Sequence, residues 1–247
     1  MNNPTGAASV FRFSKPLKQG VIVSRPNRFV MFVKAGNKVL RCHCPTTGRL
    51  GDFELKGLLC LYSTANNTKR KTAHTVEAIS TSVDHPSWIG INQTAANRYV
   101  EFFLNQGALS NMAKGVVKRE VKLGKSRIDF LVGNTYVEVK TPLIVLPGPS
   151  SAPRVKRSRF DSFDRLIRHM NELRRSLAKG KKAAIVLCYL YDAKPFEPPR
   201  KDKTNSRILV AARAAESAGV ERWQVNLGVD PEGVSLIRYF RGKPYAQ

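Results

Sequence analysis

The sequence predicts a two-domain chain of α+β and α/β character: a small closed β-barrel over residues 11–91, then an α/β domain with a mixed sheet over residues 92–247. Three observations carry that prediction. Before Asn92, short β-rich runs recur between turn residues with few helical patterns among them, which is how a small barrel reads. At Asn92 the apolar period changes from two to about 3.6. Beyond it strands and helices alternate, the signature of a sheet with crossover connections.

The first residues, Met1 to Ala8, lack the charged and apolar regions of a secretory signal and read as a short disordered lead. The barrel runs are residues 20–33, 37–44, 51–61 and 72–80, with turns at Ala35-Gly36-Asn37 and Thr46-Thr47-Gly48. Phe29, Phe32, Phe53 and Tyr62 could stack nucleobases on such a barrel, but aromatic rings there are more often core, and they are assigned to the core. Cys42-His43-Cys44 invites a zinc reading, yet no second pair supplies the remaining ligands. Alternation over residues 38–44 instead puts both thiols on one face of a strand.

From Asn92 onward, Tyr99, Phe102, Phe103, Leu104 and Leu109 form an apolar stripe at helical spacing, begun near Thr94 and stopped around Gly107. Residues 114–123 then read as a strand and residues 127–140 as a hairpin. Four prolines within residues 142–153 resist regular structure and predict a loop. Phe163, Leu166, Ile167, Met170, Leu173 and Leu177 make the buried face of a helix over residues 161–179, ended by Gly180. Residues 183–191 are an apolar strand and residues 206–218 an alanine-rich helix stopped at Gly219. Residues 220–227 and 234–239 are closing strands.

The hairpin holds the chemistry. With Gly133-Asn134 as a two-residue turn, Val132 pairs with Thr135 and Asp129 falls opposite Glu138. Lys140 lies two residues on, on the same face, while Ile128, Phe130, Val132, Thr135, Val137 and Val139 make an apolar face. Like charges directly opposite each other destabilise a sheet by some tenths of a kcal/mol or more. Two apposed acids beside a lysine make sense around a divalent cation; the pattern alone also fits a solvated charged face. An acid followed across a hairpin by Glu-x-Lys is similar to the PD-(D/E)xK nuclease signature, matched by Asp129 and Glu138-Val139-Lys140. Two carboxylates would bind Mg²⁺ or Mn²⁺ through hard oxygens, and the ion would polarise a phosphate and activate water. Lys140 would orient that water or stabilise developing charge.

Charge points to the substrate. Forty-two Lys and Arg against eighteen Asp and Glu give a formal net charge of +24, which predicts a polyanionic partner, nucleic acid before an anionic membrane surface. Residues 1–96 hold 13 basic and 4 acidic residues and residues 97–247 hold 29 and 14, so the excess is not a detachable tail. A hydrophobic content of 42% with no run of about 18 apolar residues excludes a helical membrane span. Four scattered cysteines exclude a disulfide framework and fit a reducing, cytoplasmic setting.

Further motifs are Pro16-Leu17 with Gly20, Arg25 with Asn27-Arg28-Phe29, and His43-Cys44-Pro45 followed by Thr47-Gly48-Arg49. To these add Lys69-Arg70-Lys71 with Thr75 and Glu77, Gly90-Ile91-Asn92 with Ala96-Asn97, and Arg119-Glu120-Val121-Lys122 with Gly124. Ser126 to Phe130, Val137 to Lys140, Asp164-Arg165 and Arg168-His169 complete the set. Over roughly residues 13–240 the chain resembles the sugar fermentation stimulation protein A family. The resemblance implies an OB-like β-barrel fused to a PD-(D/E)xK nuclease-like α/β domain, DNA binding, nuclease activity and a role in regulating sugar use. Departures are Thr46 in place of the family's Asn, Phe102 in place of a glutamate beside Glu101, and the diverged Thr141-Pro142-Leu143-Ile144 after Lys140. The family's Phe-Pro-Asp-Ala before the long helix is missing.

The expected catalytic set is Asp129, Glu138 and Lys140, with Asp129 and Glu138 as metal ligands. Glu120 is either a third site carboxylate or a surface acid among Lys118 and Lys122. Glu101 is either a helix-borne acid near the metal or a salt-bridge partner, the second being favoured. Arg165 and His169, i,i+4 on one helix and off its apolar stripe, could reach a phosphate. Expected nucleic-acid contacts are Arg28, Arg49, Lys69, Arg70, Lys71, Arg127, Arg154, Lys156, Arg157 and Arg159. The leading function is a DNA-binding, Mg²⁺-dependent nuclease. The alternatives are a non-enzymatic DNA-binding regulator and an RNA-binding or RNA-cleaving protein.

Overall fold

The computed structural model describes residues 9–46, 50, 54–65, 72–80, 87–142, 164–198 and 206–243. The predicted loop over residues 142–153 and the basic cluster from Arg154 to Arg159 lie almost wholly outside them, as do Arg49, Phe53, Lys69, Arg70 and Lys71.

The described strands up to residue 90 are β1 (Val10–Arg12), β2 (Lys18–Asn27), β3 (Val30–Ala35), β4 (Lys38–His43), β5 (Leu59–Thr64), β6 (His74–Ser80) and β7 (Trp88–Gly90). Strands β2 to β6 close into the five-stranded OB-like barrel. Their order is β4-β3-β2-β5-β6, and the ring is shut by parallel pairing of β4 with β6 through Cys42–His74 and His43–Thr75. Strand β7 adds to β6.

Alternation builds this barrel. On β3, Met31 and Val33 are fully buried while Phe32 and Lys34 face outward. Cys42, Cys44 and Cys60 are also core, and burial pushes the Cys42 thiol up to about 11 and that of Cys60 up to about 12. Tyr62 is core as expected. Phe29 is not: it stands 47% exposed, and Phe32 is only half-buried, outside the barrel core. The reason is local. The expected single run over residues 20–33 is broken at Arg28-Phe29, where the Asn27 Oδ1 accepts from the amides of Phe29 and Val30 at 2.9 and 3.1 Å. Such a side-chain-to-backbone bond is what Asn supplies at a turn.

The second sheet follows α1 (Ala96–Asn105). Its elements are β8 (Val117–Leu123), β9 (Ser126–Val132), β10 (Thr135–Lys140), α2 (Asp164–Leu177), β11 (Lys182–Tyr189), α3 (Ser206–Ser217), β12 (Glu221–Val229) and β13 (Gly233–Arg241). The strand order is β1-β13-β12-β11-β10-β9-β8. Strands β10, β11 and β12 run parallel and the outer pairings antiparallel, so the sheet is mixed as predicted. Strand β1 precedes the barrel in the chain but pairs with β13 rather than joining the barrel.

Both faces of this sheet are covered. On one, Tyr99, Val100 and Phe103 of α1 pack on Phe130, Val137, Val186 and Val225. On the other, Met170 and Leu173 of α2 and Ala212 and Ala215 of α3 pack on Ile128, Tyr136, Ile185 and Val220. Full burial of a side chain the size of Phe103 or Leu173 stabilises by roughly 1.5–3 kcal/mol. The barrel shares these cores. Leu61 and Ala78 belong to the α1-side core, and Tyr189 and Tyr191 belong to the barrel core. At the seam the Gly90 amide donates to the Leu190 carbonyl at 2.7 Å, and a Cβ at residue 90 would lie 2.5 Å from the Leu190 Cβ. Only glycine permits that approach.

Candidate functional site

The hairpin has the register read from its turn: Val132 pairs with Thr135, Leu131 with Tyr136 and Phe130 with Val137. Gly133 takes the positive φ (55°) such a turn requires. The next pair would be Asp129 with Glu138, and there the ladder stops. Instead the Asp129 Oδ2 accepts from the Val139 amide at 2.8 Å, so a side chain replaces a strand contact. On its other edge β9 pairs with β8 on both sides of Glu120 and Asp129 but not at them. Glu120 has a φ of 51°, the one positive value among described non-glycine residues, a conformation costing of order 1 kcal/mol or more.

The interruption reverses the faces of the hairpin. Val117, Phe130 and Val132 pack in the α1-side core, whereas Val121, Leu123 and Ile128 pack on the α2 side. The expected uniform apolar face therefore holds from Phe130 to Val139 but not at Ile128. Asp129 sits at the reversal, where its carboxylate can leave the sheet plane.

Glu138 is 1% exposed, so it is not part of a solvated charged face. Its Oε1 lies 2.5 Å from Lys140 Nζ and 2.5 Å from His169 Nδ1. Burial alone would raise its pKa, but the His169 hydrogen bond and the Lys140 ammonium outweigh that and hold it below its ordinary value. An ionised carboxylate has no proton to give, so Nδ1 of His169 carries the hydrogen. Both donors fall on one oxygen. The other, Oε2, is buried with no hydrogen-bond partner among the described residues.

Asp129 is held differently. Its Oδ1 accepts from Asn97 Nδ2 on α1 at 2.8 Å, and its Oδ2 from the Val139 amide. Burial and then the Glu138 charge raise its pKa, against the opposing pull of the Val139 amide, Lys140 and Asn97. The two carboxylates thus feel each other, with their environments pushing them apart in acidity.

Lys140 and Glu138 meet two residues apart on β10, whereas Asp129 is not paired opposite Glu138 as expected and reaches the Val139 amide through the break in the ladder. His169 joins them, but not as a surface group reaching for phosphate: it is 3% exposed and seated on Glu138. The correction follows from α2 burying a wider face than its apolar stripe, including His169, Glu172 and Ser176. Arg165, one turn earlier, is exposed. Glu101 pairs with Arg119 at 3.2 Å, the salt bridge favoured from sequence. Glu120 is exposed, and the reversal at its positive φ separates the faces of Lys118 and Lys122 that were expected to share its side. Arg28 and Arg127 are exposed, Arg127 facing Lys122 across the strand pair. Asn97 was not singled out as a site residue; its position one helical turn before Glu101 was the available signal. Phe102, where a glutamate was expected, packs edge-on against Phe11 of β1 at 5.6 Å.

A hard dication fits this donor set. The orphaned Oε2 of Glu138 is a buried anionic oxygen lacking a donor, and each Asp129 oxygen spends one bond and retains acceptor capacity. No three His, Cys, Asp or Glu among the described residues are arranged to hold a metal ion together, His169 being turned to Glu138 Oε1, so two carboxylates with water are the available shell. The described helices include none long and apolar enough to cross a membrane.

Residues 23–91 match the family model described as the SfsA N-terminal OB domain, and residues 94–233 that of the sugar fermentation stimulation protein RE domain. The sugar fermentation stimulation protein homolog of Synechococcus elongatus is 30% identical over 229 residues, covering 90% of this chain and 93% of that one. The homolog of Alcanivorax borkumensis is 32% identical over 219 residues, covering 85% and 90%. Among solved structures, Pyrococcus furiosus SfsA in complex with Ca²⁺ superposes with a TM-score of 0.75 at 24% identity, over 96% of this chain and 100% of that one.

Proposed function

Since the chain belongs to the sugar fermentation stimulation protein family, we propose that it binds DNA and hydrolyses phosphodiester bonds with Mg²⁺ or Mn²⁺ at Asp129, Glu138 and Lys140. The observation that carries the reading is the buried, unpartnered Oε2 of Glu138 beside a second carboxylate and a lysine. Asp129 and Glu138 would hold the ion through hard oxygens, as suits the Ca²⁺ with which the Pyrococcus furiosus relative is described. When bound, the dication supplies polarisation of the phosphate and a water of lowered pKa. Lys140 donates to Glu138 and would donate to a phosphate oxygen or orient the water. Asn97 fixes the Asp129 carboxylate, and His169 fixes that of Glu138. The net charge of +24 supplies long-range attraction for the polyanion.

One observation favours a second reading, a DNA-binding regulator without turnover. The position expected to hold a helix glutamate is Phe102, committed to an aromatic cluster. The test is cleavage of single-stranded DNA, duplex DNA and RNA with Mg²⁺ or Mn²⁺. Hydrolysis that disappears in Asp129→Asn while binding in EDTA persists supports the nuclease. Binding without cleavage of any substrate leaves the regulator, and no binding even at low salt removes both.

A further inference from the structure

The turn between β2 and β3 presents an exposed ring on a held backbone. Phe29 is 47% exposed although its amide is bonded to Asn27 Oδ1 and its carbonyl accepts from the Cys44 amide at 2.8 Å. The Arg28 carbonyl accepts from the Arg25 guanidinium at 3.1 Å. The turn cannot fold the ring inward without giving up these bonds, so the exposure is built in rather than a loose end. The Arg28 guanidinium carbon lies over the ring, 4.6 Å from its centroid.

The outward positions behind the ring continue the same chemistry. Phe32 and Lys34 face away from the barrel core, and Phe32 pairs across with Arg41 of β4. Rings and cations therefore interleave over the outer face of β3 and β4. The sequence has nine Lys and Arg and no Asp or Glu before Asp52, so no acid of this segment opposes an approaching phosphate chain.

We propose that this face binds unpaired nucleobases, with Phe29 as the leading stacking platform, so that the nucleic acid bound contains a single-stranded segment. In a duplex the base faces are already stacked, and a protruding phenyl ring has nothing to cover. An unpaired strand offers a free base face to the ring and its phosphates to Arg28, Lys34 and Arg41. The inference rests on the nucleic-acid binding proposed above, and deepens it by naming the form of the substrate.

The test is fluorescence anisotropy of the full chain in EDTA with labelled (dT)20, (U)20 and a 20-base-pair duplex. Phe29→Ala is expected to weaken binding of the single strands about tenfold, the scale of one base–aromatic stack, with duplex affinity within about twofold. Phe29→Tyr should restore single-strand binding. Loss confined to (dT)20 assigns a DNA strand and loss confined to (U)20 an RNA strand; either supports stacking. Since Phe29 is exposed, thermal melting of Phe29→Ala should match wild type and exclude misfolding. Single-strand binding unchanged in Phe29→Ala, or weakened equally with the duplex, overturns the inference while leaving nucleic-acid binding in place. A wild-type chain that binds none of the three at low salt overturns the underlying reading instead.

Discussion

Replacing His169 by leucine should destabilise the chain by about 2–3 kcal/mol, because it strips a donor from a buried, charged carboxylate. The magnitude follows from the local inventory. A hydrogen bond to a charged group contributes about 1.5–3 kcal/mol, and breaking a buried ion pair outright costs about 3–5. Glu138 and His169 have side chains 2% and 3% exposed, so solvent screening gives little discount. Lys140 remains 2.5 Å from the same oxygen, so the outright figure does not apply and the lower range does. Urea unfolding in EDTA at neutral pH measures the loss, with Glu138→Leu and the double variant completing a cycle. Coupling of at least about 1.5 kcal/mol is expected, since leucine at both positions removes the stranded charge with its partner. His169→Leu costing under about 0.5 kcal/mol, or simple additivity, would refute the contact. The same pair shapes acid stability. The folded pKa of Glu138 is depressed, so its contribution is present above the ordinary value of 4.5 and lost as pH falls through the lower folded value. Glu138→Gln should accordingly flatten the acid limb of a stability-against-pH curve.

Asp129→Asn should stabilise the metal-free chain by about 1 kcal/mol at neutral pH, seen as a rise in urea midpoint, because Asp129 is held above its ordinary pKa and pays for its charge. That cost sets in as pH rises through the raised folded value, so the gain should vanish below 3.8, where both states are protonated. Adding Mg²⁺ should reverse the order, raising wild type by about 2.7 kcal/mol at a hundredfold excess over Kd and leaving the variant unmoved. Gly90→Ala should cost about 2–3 kcal/mol in the same unfolding experiment, since its Cβ would meet Leu190 Cβ at 2.5 Å and Val229 Cγ2 at 2.8 Å. Thiol labelling of the native chain with a disulfide reagent should be slow until denaturant is added: all four cysteines are buried, and burial raises Cys188 to about 12.

What could be read ahead of the structure was what alternation and turn chemistry control. Gly133-Asn134 set the hairpin register from Val132–Thr135 to Phe130–Val137, but the break that turns Asp129 toward the Val139 amide was not readable from it. The long helix was legible in its apolar stripe and the Gly180 stop, and the strand after it in a continuous apolar run. His169 was not, because an apolar stripe cannot reveal that a helix also buries polar side chains against a charged partner 31 residues away. The face reversal at Glu120 was equally hidden, since nothing about a glutamate announces a positive φ. Phe29 departs from the expected burial for a related reason. Hydrophobicity predicts burial, but three backbone bonds around Asn27 and Cys44 decide where that ring points.

The barrel is more than a second module tethered to the site. Thr46, at the end of the β4 segment, donates through Oγ1 to the Gln93 side chain at 3.1 Å. Gln93 in turn donates to the Thr141 carbonyl at 2.7 Å, one residue beyond Lys140. Asn92 beside it bonds the buried Glu77 of β6 at 2.6 Å and accepts from the Ala95 amide where α1 begins. That helix carries Asn97 to Asp129. Both catalytic candidates are therefore tied to the barrel, Lys140 through the exit of its strand and Asp129 through the entry of α1. Each tie is a direct side-chain hydrogen bond of ordinary length, and the shared apolar cores leave the ties little freedom to slacken.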